Sequence, residues 1–353
     1  MFRTGLLLLA LVAQDEARQI KGGDLPTTPL EKPELHGGFH AFDVDEKGKT
    51  IVGGIGVAGE EGGQIVLWNP RTGKQTKELG KHKTTPTWVA FGAKDKEIVS
   101  FSSEDHQLMV WKLSGKKPKA RMTLGGPAGE DRPPQLSPDK KFVAHVVQLD
   151  QQTEDTRSRI TGDFEVWDLK KKKLKWKLED SFITAFAISP DSAYIIAYVE
   201  EAHWDESGPQ DKKFRFIVLD AANGREFMTF PSEDIKIRHM FYAPDDVLIA
   251  VSHDLVLRFK NARPAGPPIP IGREGGTARR VNLTRDGEHL MVWRSMADAL
   301  DIYSLKEAKH SAHIDFEAVE GLHEPWFSPS GKAIAGELGG EPVFLDLSDA
   351  IKE

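Results

Sequence analysis

The chain has 353 residues, a net charge of −7 from 47 basic and 54 acidic side chains, and no cysteine. The lack of thiols excludes disulfides, thiolate metal sites and cysteine nucleophiles, and the near balance of charge gives no bias toward nucleic acid or anionic membranes. A chain of this length can bury a sizeable core, so one large domain or two smaller ones are open.

At the amino terminus, Met1-Phe2-Arg3-Thr4 precedes an apolar run over 6–12, then Ala13 before Gln14-Asp15-Glu16. A positive start, a short apolar stretch and a small residue before polar sequence describe a secretory signal. Residues 1–13 are therefore expected to direct export, to a periplasm or the extracellular space. The other reading is a β-strand closing a ring, which would leave the protein cytoplasmic. The run is too short to cross a bilayer, so no membrane insertion is expected. Residues 14–27 read as a linker and 28–353 as one folded unit.

From there a two-part phrase recurs. Its first half, an apolar pair leading into a polar turn, stands at Val44-Asp45-Glu46, Phe91-Gly92-Ala93, Leu136-Ser137-Pro138, Ile188-Ser189-Pro190, Tyr242-Ala243-Pro244, Leu283-Thr284-Arg285 and Phe327-Ser328-Pro329. Its second half is an apolar run ending at Trp68-Asn69, Trp111-Lys112, Trp167-Asp168, Leu219-Asp220, Arg258-Phe259, Tyr303-Ser304 and Leu345-Asp346. Short β-branched and aromatic runs between turn residues, repeating about every 40 to 55 positions, are the mark of propeller blades. The expected fold is all-β: a seven-bladed β-propeller with four antiparallel strands per blade.

In the third unit Leu174, Trp176 and Leu178 alternate with Lys173, Lys175 and Lys177, as an outer strand with one solvated face should. The lysines over 170–177 are read as structural protection of that edge. The last unit stops after its third strand, and residues 28–36 resemble the outer strand of the first unit. An N-terminal strand is thus expected to complete the last blade and close the ring.

These repeats resemble the WD-repeat propellers over about residues 28–350. Trp167-Asp168 is a literal Trp-Asp pair. Unit two resembles the family's structural hydrogen-bond tetrad through His82, Ser100, Asp105 and Trp111, with Ser100 one residue further from Asp105 than the family spacing. The resemblance implies a non-catalytic scaffold that binds a protein or peptide on its top face.

Local motifs for chemistry fail. Gly54-Ile55-Gly56-Val57-Ala58-Gly59 matches a dinucleotide fingerprint, but Glu60-Glu61-Gly62-Gly63 and another strand follow, where a helix is required. No zinc-protease, nucleophile-elbow or phosphate-loop motif occurs, so no cofactor, metal or nucleic-acid partner is expected. Whether the protein is an enzyme stays open, with a binding role favoured. The rival reading is a propeller hydrolase or lyase using His40, His323 and Glu324 in the central funnel.

Aligning the repeats places His40, Thr87, Arg132, Thr184, Arg238, Arg279 and His323 at the mouths of the seven inner strands. In WD-repeat proteins the matching position lies on the top face, so these form a candidate binding rim. Its arginines and histidines suit an acidic partner. Two long loops, 148–163 and 200–213, would rise beside it, the second carrying His203 and Trp204 as further candidate contacts. Solvated strand mouths and folded-back hairpin tips are the plain alternatives. A monomeric propeller is expected.

Overall fold

The computed structural model describes residues 17–32, 38–57, 59–128, 133–147, 149–151, 159–205, 208–232, 235–271, 278–284, 286–294, 298–316, 322–327, 333–338, 341–348 and 350–351. The candidate signal over residues 1–13 lies outside them. The described residues form seven antiparallel sheets, the blades of a propeller.

Turn chemistry explains why the phrase repeats. In the first half, the Ser or Thr hydroxyl closes the turn between the inner and second strands. Ser137 Oγ donates to Asp139 Oδ1 (2.8 Å) and accepts from the backbone N–H of Phe142. Ser189 with Asp191 and Tyr194 repeats this, as does Thr284 with Asp286 and His289. The same turns place Gly48, Lys140, Ser192, Asp246 and Gly287 at positive φ. In the second half, the residue after the aromatic position caps the next turn. Asn69, Asp168, Asp220 and Asp346 accept backbone N–H groups two or three residues onward. The Asp of the Trp167-Asp168 pair is thus a turn former.

Strand alternation sorts each blade into two apolar faces, and the core is seven clusters, one in each gap between neighbouring blades. Met291, Trp293, Leu300 and Ile302 of blade six pack against Ile334 and Val343 of blade seven. Leu290, Val292 and Tyr303 of the same strands face Ile249, Val251 and Ile269 of blade five. The gap between blades seven and one is filled by Trp326, Ala335 and Phe344 against Phe39, Phe42 and Ile55, which closes the circle.

Closure uses the amino-terminal segment, as expected. Thr27–Pro29 pairs antiparallel with Glu341–Asp346 and supplies the fourth strand of blade seven. Within the stretch expected as a linker, Arg18–Lys21 adds something further, a parallel fifth strand on Lys309–Asp315 of blade six. Between these strands Gly22 lies against Phe316, where a Cβ would sit 2.1 Å from the ring, and Leu25 joins the gap between blades six and seven. One strap therefore spans two blades.

The glycine-rich stretch behaves as the failed fingerprint predicts. Ile51–Gly56 is the second strand of blade one, and no helix follows it.

Candidate functional site

Alternating strand direction puts the start of each inner strand and the turn between the second and third strands on one face, called top below. The described rim positions lie at inner-strand starts, but the structure does not treat them alike. Arg238 is exposed just before His239–Tyr242. Thr87 Oγ1 shares a hydrogen bond with Ser103 Oγ (2.9 Å), and His40 Nε2 lies 3.1 Å from the Gly56 carbonyl. Thr184 departs from the expectation. It is 8% exposed, and its hydroxyl bonds the Ile237 carbonyl of the next blade (3.2 Å), across the gap between blades. Arg279 and His323 stand on the inner strands Ala278–Leu283 and Leu322–Phe327, their side chains outside the described part, as is Arg132 entirely. Beside the rim, Arg280 places its guanidinium 3.7 Å from the centroid of the Trp326 ring of blade seven, a cation–π contact between neighbours.

Both expected top-face loops are corrected to β-hairpins. Leu149–Gln151 pairs with Arg159, Ile160 and Thr161. In blade four Tyr194–Asp205 and Gly208–Asp220 stay paired to the pair Asp205 and Gly208, with His203 opposite Gln210 and Trp204 opposite Pro209. Val199 already faces Ile183, near the start of the inner strand, so the later pairs stand clear of the blade. Six further residues in the first arm and seven in the second, with one bulge, make an arm of about 20 Å. The run of acids in this stretch made it read as a loop; two-stranded pairing in water tolerates charge on both faces.

The root of this hairpin is stiff. Tyr198 is fully buried, stacks on Phe214 (5.5 Å, 8°), meets Phe216 edge-to-face (4.8 Å, 61°), and donates its hydroxyl to Ser232 Oγ (3.1 Å). Phe216 continues the column to Phe230 and to Phe259 of blade five. On the outer strand of the same blade, Phe227 and Met228 are 51% and 49% exposed, two of three large apolar side chains left in water among the described residues.

Two buried polar networks lie in the blade gaps. In blade two the four family-like residues do meet: Trp111 Nε1 donates to Ser100 Oγ (2.7 Å), which lies 2.7 Å from His82 Nε2, and His82 Nδ1 is 3.6 Å from Asp105. Burial works against the Asp105 charge, but the His82 bond and the Gln107 and Lys83 backbone N–H groups outweigh it and lower its pKa. Trp167 differs: its indole N–H goes to Glu165 Oε2 (2.8 Å).

The network in blade six was not read from the sequence. Asp301, completely buried, accepts from Arg294 Nε (2.6 Å) on one oxygen and lies 2.8 Å from His313 Nδ1 and 2.9 Å from His310 Nε2 on the other. Arg294 also reaches the Ile271 carbonyl of blade five. Burial opposes the carboxylate charge, yet the bonds from His310, Arg294 and His313 hold Asp301 well below the usual range. Asp301, His310 and His313 could hold a metal ion, as could Asp286, Glu288 and His289. The guanidinium already neutralises Asp301, which weakens the first set for a divalent cation. His40 does not join either group.

The sequence matches no family model and no curated protein. Among solved structures, hydrazine synthase from Kuenenia stuttgartiensis is similar over 87% of this chain and 94% of its own, with a TM-score of 0.63 and 15% identity. At that identity the likeness is one of architecture: a seven-bladed propeller.

Proposed function

We propose that this propeller is a non-catalytic platform that binds a protein or peptide on its top face, with the blade-four hairpin as the principal contact. The observation that carries this reading is the paired arm reaching Asp205 and Gly208 beyond the blade, on an aromatic root that fixes its direction. A preordered arm loses little conformational entropy on binding. Phe227 and Met228 add apolar surface on the same blade. Arg238 and the other mouth residues Arg132, Arg279 and His323 supply charge around the rim.

The same reading treats the chain as a divergent WD-repeat propeller, supported by the Trp111–Ser100–His82–Asp105 chain in blade two. Export follows if residues 1–13 are removed, which amino-terminal sequencing of the mature protein tests. The likeness to hydrazine synthase extends no activity to this chain.

The decisive experiment is affinity capture from the native source with the wild type and with a variant whose residues 200–213 are replaced by an Asn-Gly turn. Loss of the captured partner supports the proposal. Equal recovery by a variant that melts like the wild type overturns the role of the hairpin. The triple variant Arg132→Ala/Arg238→Ala/Arg279→Ala tests the rim in the same way.

A further inference from the structure

On the circumference of blade two, two hollows of about 490 and 440 Å³ lie end to end, the second reaching the top margin at Asp105, and share Lys81 and Arg121 in their walls. The first is lined also by Gly80, Trp111, Lys116, Lys117 and Pro118, and the second by His82, Lys83, Asp105, Gln107 and Met109. Together they form a groove between the outer strand of blade one, Gln75–Lys81, and that of blade two, Pro118–Thr123.

Five cations, Lys81, Lys83, Lys116, Lys117 and Arg121, line this groove, all exposed. Among the described residues none of them makes an ion pair, whereas Lys119 beside them is matched by Glu97 at 2.6 Å. The one acid in the walls, Asp105, already accepts from the N–H groups of Lys83 and Gln107 and lies against His82. The groove is therefore a concentrated positive field on a chain of net charge −7.

Edge protection explains lysines that alternate along an outer strand, as at Lys173, Lys175 and Lys177. It does not explain Lys116 and Lys117, which sit in the turn before the strand. Nor does it explain the concavity. Gly80, at φ +153°, lets the backbone of the outer strand of blade one lie directly on the buried Trp111 ring, since a Cβ there would lie 2.6 Å from it. Trp111 cannot swing aside because its indole N–H is bound to Ser100.

We infer that this groove binds an extended acidic peptide segment of a partner protein. Its floor is closed by the buried Trp111 and Met109, and its walls offer exposed cations at both ends. The six residues of Pro118–Thr123 span about 20 Å, the reach of a six-residue extended peptide. A flat anionic bilayer would not enter a cleft, so the concavity favours the peptide. The inference rests on the propeller being a partner-binding platform, but on a different surface from the top-face hairpin.

Fluorescence anisotropy with a labelled oligoglutamate peptide tests it at low salt. The wild type and the variant lacking the 200–213 hairpin should bind alike, which separates this site from the top-face proposal. Lys116→Glu/Lys117→Glu/Arg121→Glu should weaken binding by roughly tenfold or more. Lys170→Glu/Lys171→Glu/Lys173→Glu, with the same change in net charge one blade away, should weaken it far less. Circular dichroism melts confirm that both variants fold. No binding by the wild type, equal losses in the two charge-reversed variants, or binding to phosphatidylglycerol vesicles in place of the peptide would each overturn the inference.

Discussion

Blades two and six solve the same problem with opposite chemistry. Each carries a buried polar network on the face turned toward the preceding blade. In blade two it is a chain of hydrogen bonds from Trp111 through Ser100 to His82, with the carboxylate of Asp105 at the margin, 6% exposed. In blade six it is a full ion pair, Arg294 with Asp301, at 3% and 0% side-chain exposure. The hydrogen-bonded chain ties a connection and a turn to the blade. The ion pair binds three strands of blade six to one another and, through the Ile271 carbonyl, to blade five. A network whose carboxylate sits at the margin tolerates losing a member better than a fully buried ion pair, where what remains is an unpaired charge in a dry gap.

The sharpest way to break this comparison is Asp301→Ala, which leaves Arg294 buried without its carboxylate. Chemical denaturation should show a loss of about 3–5 kcal/mol, while replacing both partners with apolar residues of similar volume should cost far less. An equal loss in the single and double variants would show that packing, not charge, is at stake.

Acid separates the charged from the neutral further. His145, in blade three, is fully buried, and that burial pushes its ring from 6.5 down to about 4, with the Gly126 carbonyl opposing the shift and His106 adding to it. The folded state thus binds this proton less readily than the unfolded chain, so stability should decline as pH falls from 6.5 toward 4, by roughly 3 kcal/mol at most. His145→Gln should flatten the curve in that window. The Asp301 carboxylate, held below its ordinary value of 3.8, contributes stability that is present above that pH and lost only as pH drops beneath it. Two separate acid steps in a pH titration of stability are expected; a single step near pH 4 would count against the assignment to His145.

Smaller effects belong to blade two. Ser100→Ala strips both Trp111 and His82 of a partner and should cost about 1–3 kcal/mol by urea titration. Gly80→Ala should cost about 1 kcal/mol, because it forces a side chain into a left-handed backbone position against a ring that is tied in place. If Gly80→Ala were silent, the Trp111 ring would be freer than its hydrogen bond implies.

The blades were legible because a turn repeats its chemistry: Ser137, Ser189 and Thr284 each need the same hydroxyl, and Asn69, Asp168 and Asp220 the same cap. Blade two's network was legible for a related reason, as its residues follow a known pattern apart from Ser100, one residue further from Asp105 than that spacing. Blade six's was not. Arg294, Asp301, His310 and His313 come from three strands and recur in no other unit, so only pairing brings them together. The hairpin of blade four was missed because Glu200, Glu201 and Asp205 break the apolar alternation by which a strand is recognised. The strand Arg18–Lys21 was missed because a parallel partner leaves no turn signal beside it.

That strap makes the order of synthesis and the order of assembly run in opposite senses. Residues 18–29 emerge from the ribosome long before 309–346, yet those later strands are their only seats in the sheet. Until then the nascent chain must carry an unattached β-segment, and the final join is a long-range event. A protease that severs the strap would unlatch blades six and seven in a single cut.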